Sequence, residues 1–205
     1  MDLELVIATR NRKKTEEIRR ILGGMPVRLY TLDDFPGSPE VEEDAGSFQG
    51  NAAKKAVAIA RYAGKPAFSD DSGLEVYALH GAPGVLSARY AGEGADDRKN
   101  AERLISELKG IAEGRRGARF VCCIALAFPD GTVELFEGAV EGRIGEGPRG
   151  ISGFGYDPVF YPEGHDRTFA EMSAGEKDAL SHRGVALRKF RDRVAELLKS
   201  TEPAS

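Results

Sequence analysis

The sequence predicts an α/β fold. Short apolar runs that read as buried strands alternate with segments of helical periodicity through the first half of the chain. A long apolar run, an Asp-Gly hairpin signal and a returning strand then follow, and an amphipathic helix closes the chain. At 205 residues this is one domain, or one domain with two lobes, long enough to bury a real core.

Leu3 to Ala8 is apolar with an Ile-Val core and reads as the first buried strand. The basic stretch Thr9-Arg10-Asn11-Arg12-Lys13-Lys14 follows it. A helix over Thr15 to Leu22 carries Ile18, Ile21 and Leu22 at helical spacing and ends at Gly23-Gly24. A strand, basic loop and helix in that order aim backbone amides and a positive helix end at one spot, which suits an anion. The Walker A glycine spacing is absent. The plainer alternative is a capped helix with a solvated basic first turn, although cations there oppose the helix dipole.

Val27 to Thr31 reads as a second strand. The loop from Leu32 to Gly46 carries Glu40, Glu42, Glu43 and Asp44 just ahead of a helix, where acidic residues suit the N-terminus. The same run can also supply a second carboxylate to a metal. Ser47 to Ala63 is helical with an Ala-rich face, and Asn51 and Lys55 share one side of it. Gly64 closes it.

Pro66-Ala67-Phe68 then reads as the end of a buried strand, with Ser69-Asp70-Asp71-Ser72-Gly73 at its exit. Carboxylates are costly to bury unless paired, hydrogen-bonded or bound to a cation. Two side by side at a strand end suggest a metal. Neighbouring side chains of an extended chain point to opposite faces. One aspartate is therefore expected on the ion and the other on a helix terminus or a supporting group. Asp-Asp-Ser-Gly is also good surface-turn composition.

Leu74 to Leu79 is expected as another short strand, followed by the loop His80-Gly81-Ala82-Pro83-Gly84 and by Ser87-Ala88-Arg89-Tyr90. Asp96 to Ile111 is an amphipathic helix with Leu104, Ile105, Leu108 and Ile111 on one stripe. Arg115 to Arg119 reads as a basic turn and Phe120 to Phe128 as an apolar strand. Asp130-Gly131 turns the chain into Val133 to Ile144, whose alternating Glu residues make one face wet. This hairpin is a candidate second lobe. A glycine-dense stretch runs from Gly145 to Gly155, and Val159-Phe160 is a short strand. Ser173 and Glu176 form a capping box for a helix to about Lys199, with Leu187, Phe190, Val194, Leu197 and Leu198 as its buried stripe. Gly184 makes the first half of that helix irregular or closely approached. Thr201 to Ser205 is a frayed tail.

Composition narrows the classes. Hydrophobic residues are 41% and charged residues 30%, and the net charge is −4, which argues against a dedicated nucleic-acid binder. A local cluster of Lys and Arg can still hold a triphosphate. No run approaches the ~20 apolar residues of a membrane span. The acidic opening Met1-Asp2-Leu3-Glu4 enters a strand directly, so no signal peptide is expected. Cys122 and Cys123 are adjacent in an apolar run and are expected buried and reduced, as in a cytoplasmic protein. His80 and His165 are expected as loop or surface histidines.

Five blocks, in order and covering nearly the whole chain, together resemble the inosine triphosphate pyrophosphatase family of noncanonical purine nucleoside triphosphate pyrophosphatases. They are Thr9-x-Asn11-x-x-Lys14; Phe48-x-x-Asn51-Ala52-x-x-Lys55-Ala56; Asp70-Asp71-Ser72-Gly73-Leu74 with Gly81-x-Pro83-Gly84 and Ser87-Ala88-Arg89-Tyr90; Gly153-Phe154-Gly155-Tyr156-Asp157-Pro158; and Glu176-Lys177 with Ser181-His182-Arg183-Gly184. Arg10 stands where a small residue is usual and Gly50 where Glu is usual.

The resemblance implies a mixed twisted sheet with flanking helices, in two lobes with a central cleft, and a homodimer. It implies Mg²⁺-dependent cleavage between the α- and β-phosphates of ITP, dITP or XTP, removing deaminated purines from the nucleotide pool. Asp71 would be the catalytic base and a metal ligand, with Glu43 ranked ahead of Glu40 to complete the metal site. Thr9, Arg10, Asn11, Arg12, Lys13, Lys14, Lys55 and Lys177 would hold the phosphates, with Ser72 on one phosphate oxygen. Phe154 would stack on the base, Gly155 would let the ligand approach, and Tyr156 and Asp157 lie in the same block. His182 and Arg183 would read the 6-keto oxygen. Two rivals stay open: a related house-cleaning pyrophosphatase for other modified nucleotides, separated by a substrate panel, and a non-catalytic nucleotide sensor, separated by a turnover assay.

Overall fold

The computed structural model describes residues 3–200, so Met1, Asp2 and the expected tail from Thr201 to Ser205 lie outside the described residues. The fold is α/β. Six strands form one sheet in the order β2-β1-β3-β4-β5-β6. They are β1 (Leu3–Ile7), β2 (Val27–Tyr30), β3 (Ala67–Val76), β4 (Gly117–Ala127), β5 (Val133–Ile144) and β6 (Phe160–Pro162). β1 pairs in parallel with β2 and β3, whereas β5 and β6 are antiparallel, so the sheet is mixed. The helices are α1 (Arg12–Ile21), α2 (Phe48–Ala63), α3 (Asp97–Glu107), α4 (Ala174–Leu180) and α5 (His182–Ser200).

The chain groups into two compact units. The first takes the chain up to Asp71, Cys122–Glu137 and the chain from Val185 on. Its core joins Leu5, Ile7 and Phe68 of the strands to Ile18 of α1 and to Leu187, Phe190 and Val194 of α5. Phe68 and Phe190 meet with ring centres 4.6 Å apart, and truncating either ring would cost about 3–5 kcal/mol. The second unit takes Ser72–Val121 and Gly138–Gly184. Its core packs Leu104 and Leu108 of α3 against Leu74, Val76, Ala118 and Ile144 of the strands, with Phe120, Phe160 and Phe169 as an aromatic centre.

The structure moves several expected boundaries. Helix α1 begins at Arg12, not Thr15, because Asn11 is its N-cap: the Asn11 side chain accepts from the Lys14 amide. The basic residues thus form its first turn. β3 does not end before Asp70. It runs unbroken through Ser69-Asp70-Asp71-Ser72-Gly73 to Val76, and the separate strand expected over Leu74 to Leu79 is its second half followed by a short 3-10 turn. Polar composition suggested a turn, but both aspartates are buried and supplied with cations. β4 starts at Gly117 rather than Phe120. Ala118, Phe120 and Cys122 point inward while Arg119 points outward to Glu75; Arg115 lies in a 3-10 turn ahead of the strand, and Arg116 is buried, donating to the Ile111 carbonyl. Helix α3 stops at Glu107, where Leu108 caps it.

The expected closing helix is two helices. Ser181 is extended (φ −67°, ψ 155°), and its hydroxyl accepts from the Gly184 amide, restarting the chain as α5. The β4–β5 hairpin is not a lobe of its own, since its tip half, Cys122–Glu137, belongs to the first unit. Among the described residues, no helix is long and apolar enough to cross a membrane.

Candidate functional site

Two polar clusters stand out, one in each unit. The first is built on β1, α1, α2 and β3. The Ala8 amide donates to the Phe68 carbonyl at 2.7 Å, which places the start of the basic loop beside β3. Thr9 Oγ1 accepts from the Asn11 amide at 3.2 Å, and Asn11 caps α1. Arg12, Lys13 and Lys14 therefore occupy the first turn, which holds no acidic residue. Arg10, Asn11, Arg12 and Lys13 are exposed, whereas Lys14 turns inward to Asp70 at 3.0 Å. Arg10 donates to the Ser38 carbonyl at 3.2 Å, tying the basic loop to the segment that leads into the acidic run.

Lys55 is the centre of this cluster. Its Nζ lies 2.5 Å from Glu43 Oε1, 2.9 Å from the Asp70 carbonyl and 4.0 Å from Asp71 Oδ1. Burial works against the ammonium, but Asp70, Asp71 and Glu43 more than offset it and hold its pKa above the usual lysine value. Asp71 shows the opposite balance. Burial pushes its carboxyl above the usual aspartate value, against the pull of Lys55 and Lys14 and with the help of Glu43. A carboxylate raised in this way is a stronger base than an ordinary one.

Asn51 is a member of the cluster whose role the sequence did not disclose. It is buried on α2, donates to Asp71 Oδ2 at 3.1 Å and accepts from the Ala45 amide at 2.9 Å. It therefore fixes Asp71 and the end of the acidic loop at once. Its signal was a polar residue four before Lys55 on an otherwise Ala-rich face. Gly50 belongs to the same feature. A Cβ there would lie 2.7 Å from the Ala45 side chain, so the loop seats where a larger residue would stand.

The three acidic candidates separate. Glu43 and Asp71 share Lys55, whereas Glu40 is exposed. Among the described residues, no group of three or more His, Cys, Asp or Glu side chains is gathered as a metal centre.

The second cluster is built on β3, the glycine-dense stretch, α4 and the start of α5. Asp157 Oδ2 accepts from the Phe154 amide at 2.8 Å and from Lys177 Nζ at 2.7 Å. Asp157 and Lys177 are both buried. Gly153 has a positive φ of 76°, and a Cβ there would fall 2.1 Å from the Asp157 carboxylate, so the turn accepts only glycine. Gly155, at φ 61°, is left-handed as well. Lys177 Nζ lies 4.7 Å and Arg183 Cζ 5.6 Å from the centre of the Phe154 ring, within cation–π range. Arg183 is buried and donates to Ser72 Oγ at 2.8 Å. His182 stacks on Phe120. The Tyr156 side chain belongs to the core, and its hydroxyl donates to the Ser87 carbonyl at 2.8 Å.

The remaining reactive groups are quiet. Cys122 and Cys123 form no disulfide and are buried, and burial pushes the Cys123 thiol up to about 12. His80 and His165 are exposed.

A family model described as the Ham1 family matches residues 5–193. A protein of Streptomyces avermitilis named dITP/XTP pyrophosphatase is 50% identical over 196 residues, which is 95% of this chain and 98% of that one. A Geobacter sulfurreducens protein of the same name is 50% identical, over 93% of this chain and 96% of its own. Among solved structures, a HAM1 protein from Coxiella burnetii superposes with a TM-score of 0.87 at 39% identity, covering 95% of this chain and 99% of that one. A nucleoside-triphosphatase and dITP/XTP pyrophosphatase from Mycobacterium abscessus gives a TM-score of 0.76 at 45% identity, over 92% of this chain and 98% of that one.

Proposed function

Because the chain belongs to the Ham1 family, we propose that it hydrolyses the triphosphates of deaminated purines, ITP, dITP and XTP. The products are the nucleoside monophosphate and pyrophosphate. The observation that carries this reading is the run of half-identical relatives, matched over nearly their full length, that are named dITP/XTP pyrophosphatase.

In this reading the first cluster takes the phosphates. Lys14, Lys55 and the positive end of α1 attract the anion, with Thr9, Arg10, Asn11, Arg12 and Lys13 around it. Asp71 accepts the proton of the attacking water, a role its raised pKa favours. The cofactor is Mg²⁺. The donors fit it: Glu43 and Asp71 are hard oxygen ligands that already share one cation, Lys55. Two carboxylates, with water and phosphate oxygens, suffice for magnesium. When bound, the ion supplies positive charge to the phosphates and eases the loss of a proton from water. Glu40 is left out of this set.

The second cluster takes the base. Phe154 stacks on it, and Gly155 and the Tyr156 main chain allow close approach. Asp157 holds Lys177 beside the Phe154 ring, so in this reading Lys177 stands with the base cluster and not among the phosphate cations expected from the sequence. His182 and Arg183 donate to the 6-keto oxygen, and adenine, with a donor there, leaves them unpaired at about 1–3 kcal/mol per group. Ser72 holds Arg183 as well as a phosphate oxygen. The enzyme works in the cytoplasm as a homodimer on this small-molecule substrate, without nucleic acid or membrane partners.

The test is product identity. ITP should give IMP and pyrophosphate on ion-exchange chromatography, and IDP as the main product would overturn the reading.

A further inference from the structure

Phe120, on β4, is an apolar residue that the chemistry above does not use. Its ring centre lies 4.6 Å from that of His182, with the two planes only 9° apart. The aromatic core braces it. Phe160 meets it edge-on at 4.7 Å, and Phe169 lies at 6.1 Å with planes 29° apart. His182 itself is buried at the start of α5, directly after the break at Ser181.

This stack matters because of how a histidine ring is oriented. The torsion that turns an imidazole about its own bond is broad and roughly two-fold, so the covalent chain alone does not set the ring plane. A flat neighbour does. Turning the imidazole away from parallel would drive its edge into the Phe120 face. A hydrogen bond from the ring to a base oxygen is directional and weakens steeply below about 120°. Ring orientation therefore governs how well His182 separates a keto from an amino group.

We propose that Phe120 is a positioning residue for base selection, holding the His182 imidazole in the plane at which it meets a 6-keto purine. This rests on the reading that His182 contacts the base. Phe120 acts through His182, and its aromatic partners all lie in the same unit.

The experiment is a double-mutant cycle read in base selectivity. Steady-state kinetics with ITP and with ATP are measured for wild type, Phe120→Leu, His182→Ala and the double variant, each checked for folding by circular dichroism. Leucine keeps an apolar side chain and removes the flat face. Phe120→Leu should lower the ITP-over-ATP ratio of kcat/KM by about fivefold or more, with the loss falling on KM for ITP. In the His182→Ala background the same change should do nothing further to the ratio. Phe120→Tyr, which restores a flat ring, should restore the ratio, and Phe120→Met replaces the leucine variant if that one does not fold. An unchanged ratio in a folded Leu or Met variant overturns the inference alone. So does an equal loss in both backgrounds, which would mean general packing. A wild type with no preference for ITP overturns the parent reading and this one with it.

Discussion

Arg183, almost wholly buried, donates a 2.8 Å hydrogen bond to the hydroxyl of Ser72. The sequence reading placed these two residues at opposite ends of a nucleotide, the arginine at the base and the serine at a phosphate. The geometry joins them. A buried guanidinium has five donors in a fixed fork, and a partner on one arm fixes the direction of the others. Arg183→Lys keeps the charge but loses the fork. We expect it to fold and to lose about tenfold or more in ITP-over-ATP selectivity, in the range of a hydrogen bond to a charged group. Competing-substrate kinetics measure this, and unaltered selectivity in a folded variant would remove Arg183 from base reading.

Ser72→Ala follows from the same contact. It frees one arm of Arg183 and, in the proposed reading, also removes a phosphate donor. Turnover should fall for every base, and selectivity should fall with it by a few fold, since the guanidinium is no longer held. A variant that loses turnover with its base preference intact would leave Ser72 as a phosphate ligand only.

Lys14 tests the other cluster. It pairs with Asp70, which is 1% exposed. If Lys14 binds phosphate as proposed, Lys14→Ala should weaken turnover of ITP, XTP and GTP alike and leave the preference among bases roughly unchanged. It should also lower stability by on the order of 1–3 kcal/mol, since the buried Asp70 carboxylate loses one of its charged partners. Denaturant unfolding without nucleotide reads the second effect. A variant whose main defect is lost base preference would place Lys14 at the wrong end of the substrate.

Much of this was legible in the sequence because its signals are local. The Ser173–Glu176 capping box, the Asp-Gly hairpin and the apolar stripe of α5 depend on near neighbours, and the elements they mark formed. Long-range pairing was not legible. Asp70 and Asp71 looked like a strand's end because their partners, Lys14 and Lys55, are distant in the chain. Gly184 marks an irregular stretch in the sequence but not a break; the break lies at Ser181, whose hydroxyl caps the following turn. Asn51 was visible as a polar residue on the Lys55 face, but its contact with Asp71 was not, and nothing in the sequence marked the stacking of Phe120 on His182. The Glu40 alternative persisted for the same reason: an acidic run does not say which member turns inward.

Asp71→Asn is the variant on which the mechanism turns. The amide keeps the shape of the carboxylate and removes its charge and its ability to take a proton. Turnover at saturating Mg²⁺ should fall by at least ~100-fold, the lower end of what a general base contributes. Metal affinity should fall as well, because a neutral amide is a poorer partner for a hard dication. Stability should move the other way. Burial raises the Asp71 pKa in the folded protein, so the folded state disfavours its charge relative to the unfolded chain. That penalty is complete above the raised folded pKa and absent below the ordinary aspartate value, where both states are protonated. Without Mg²⁺, the variant should therefore melt above wild type near neutral pH. The gap should close as pH falls through the window between the folded value and the ordinary aspartate value. Thermal melts across that range check the sign. A folded Asp71→Asn protein with near-normal turnover would move the catalytic carboxylate elsewhere, with Asp70 the next candidate.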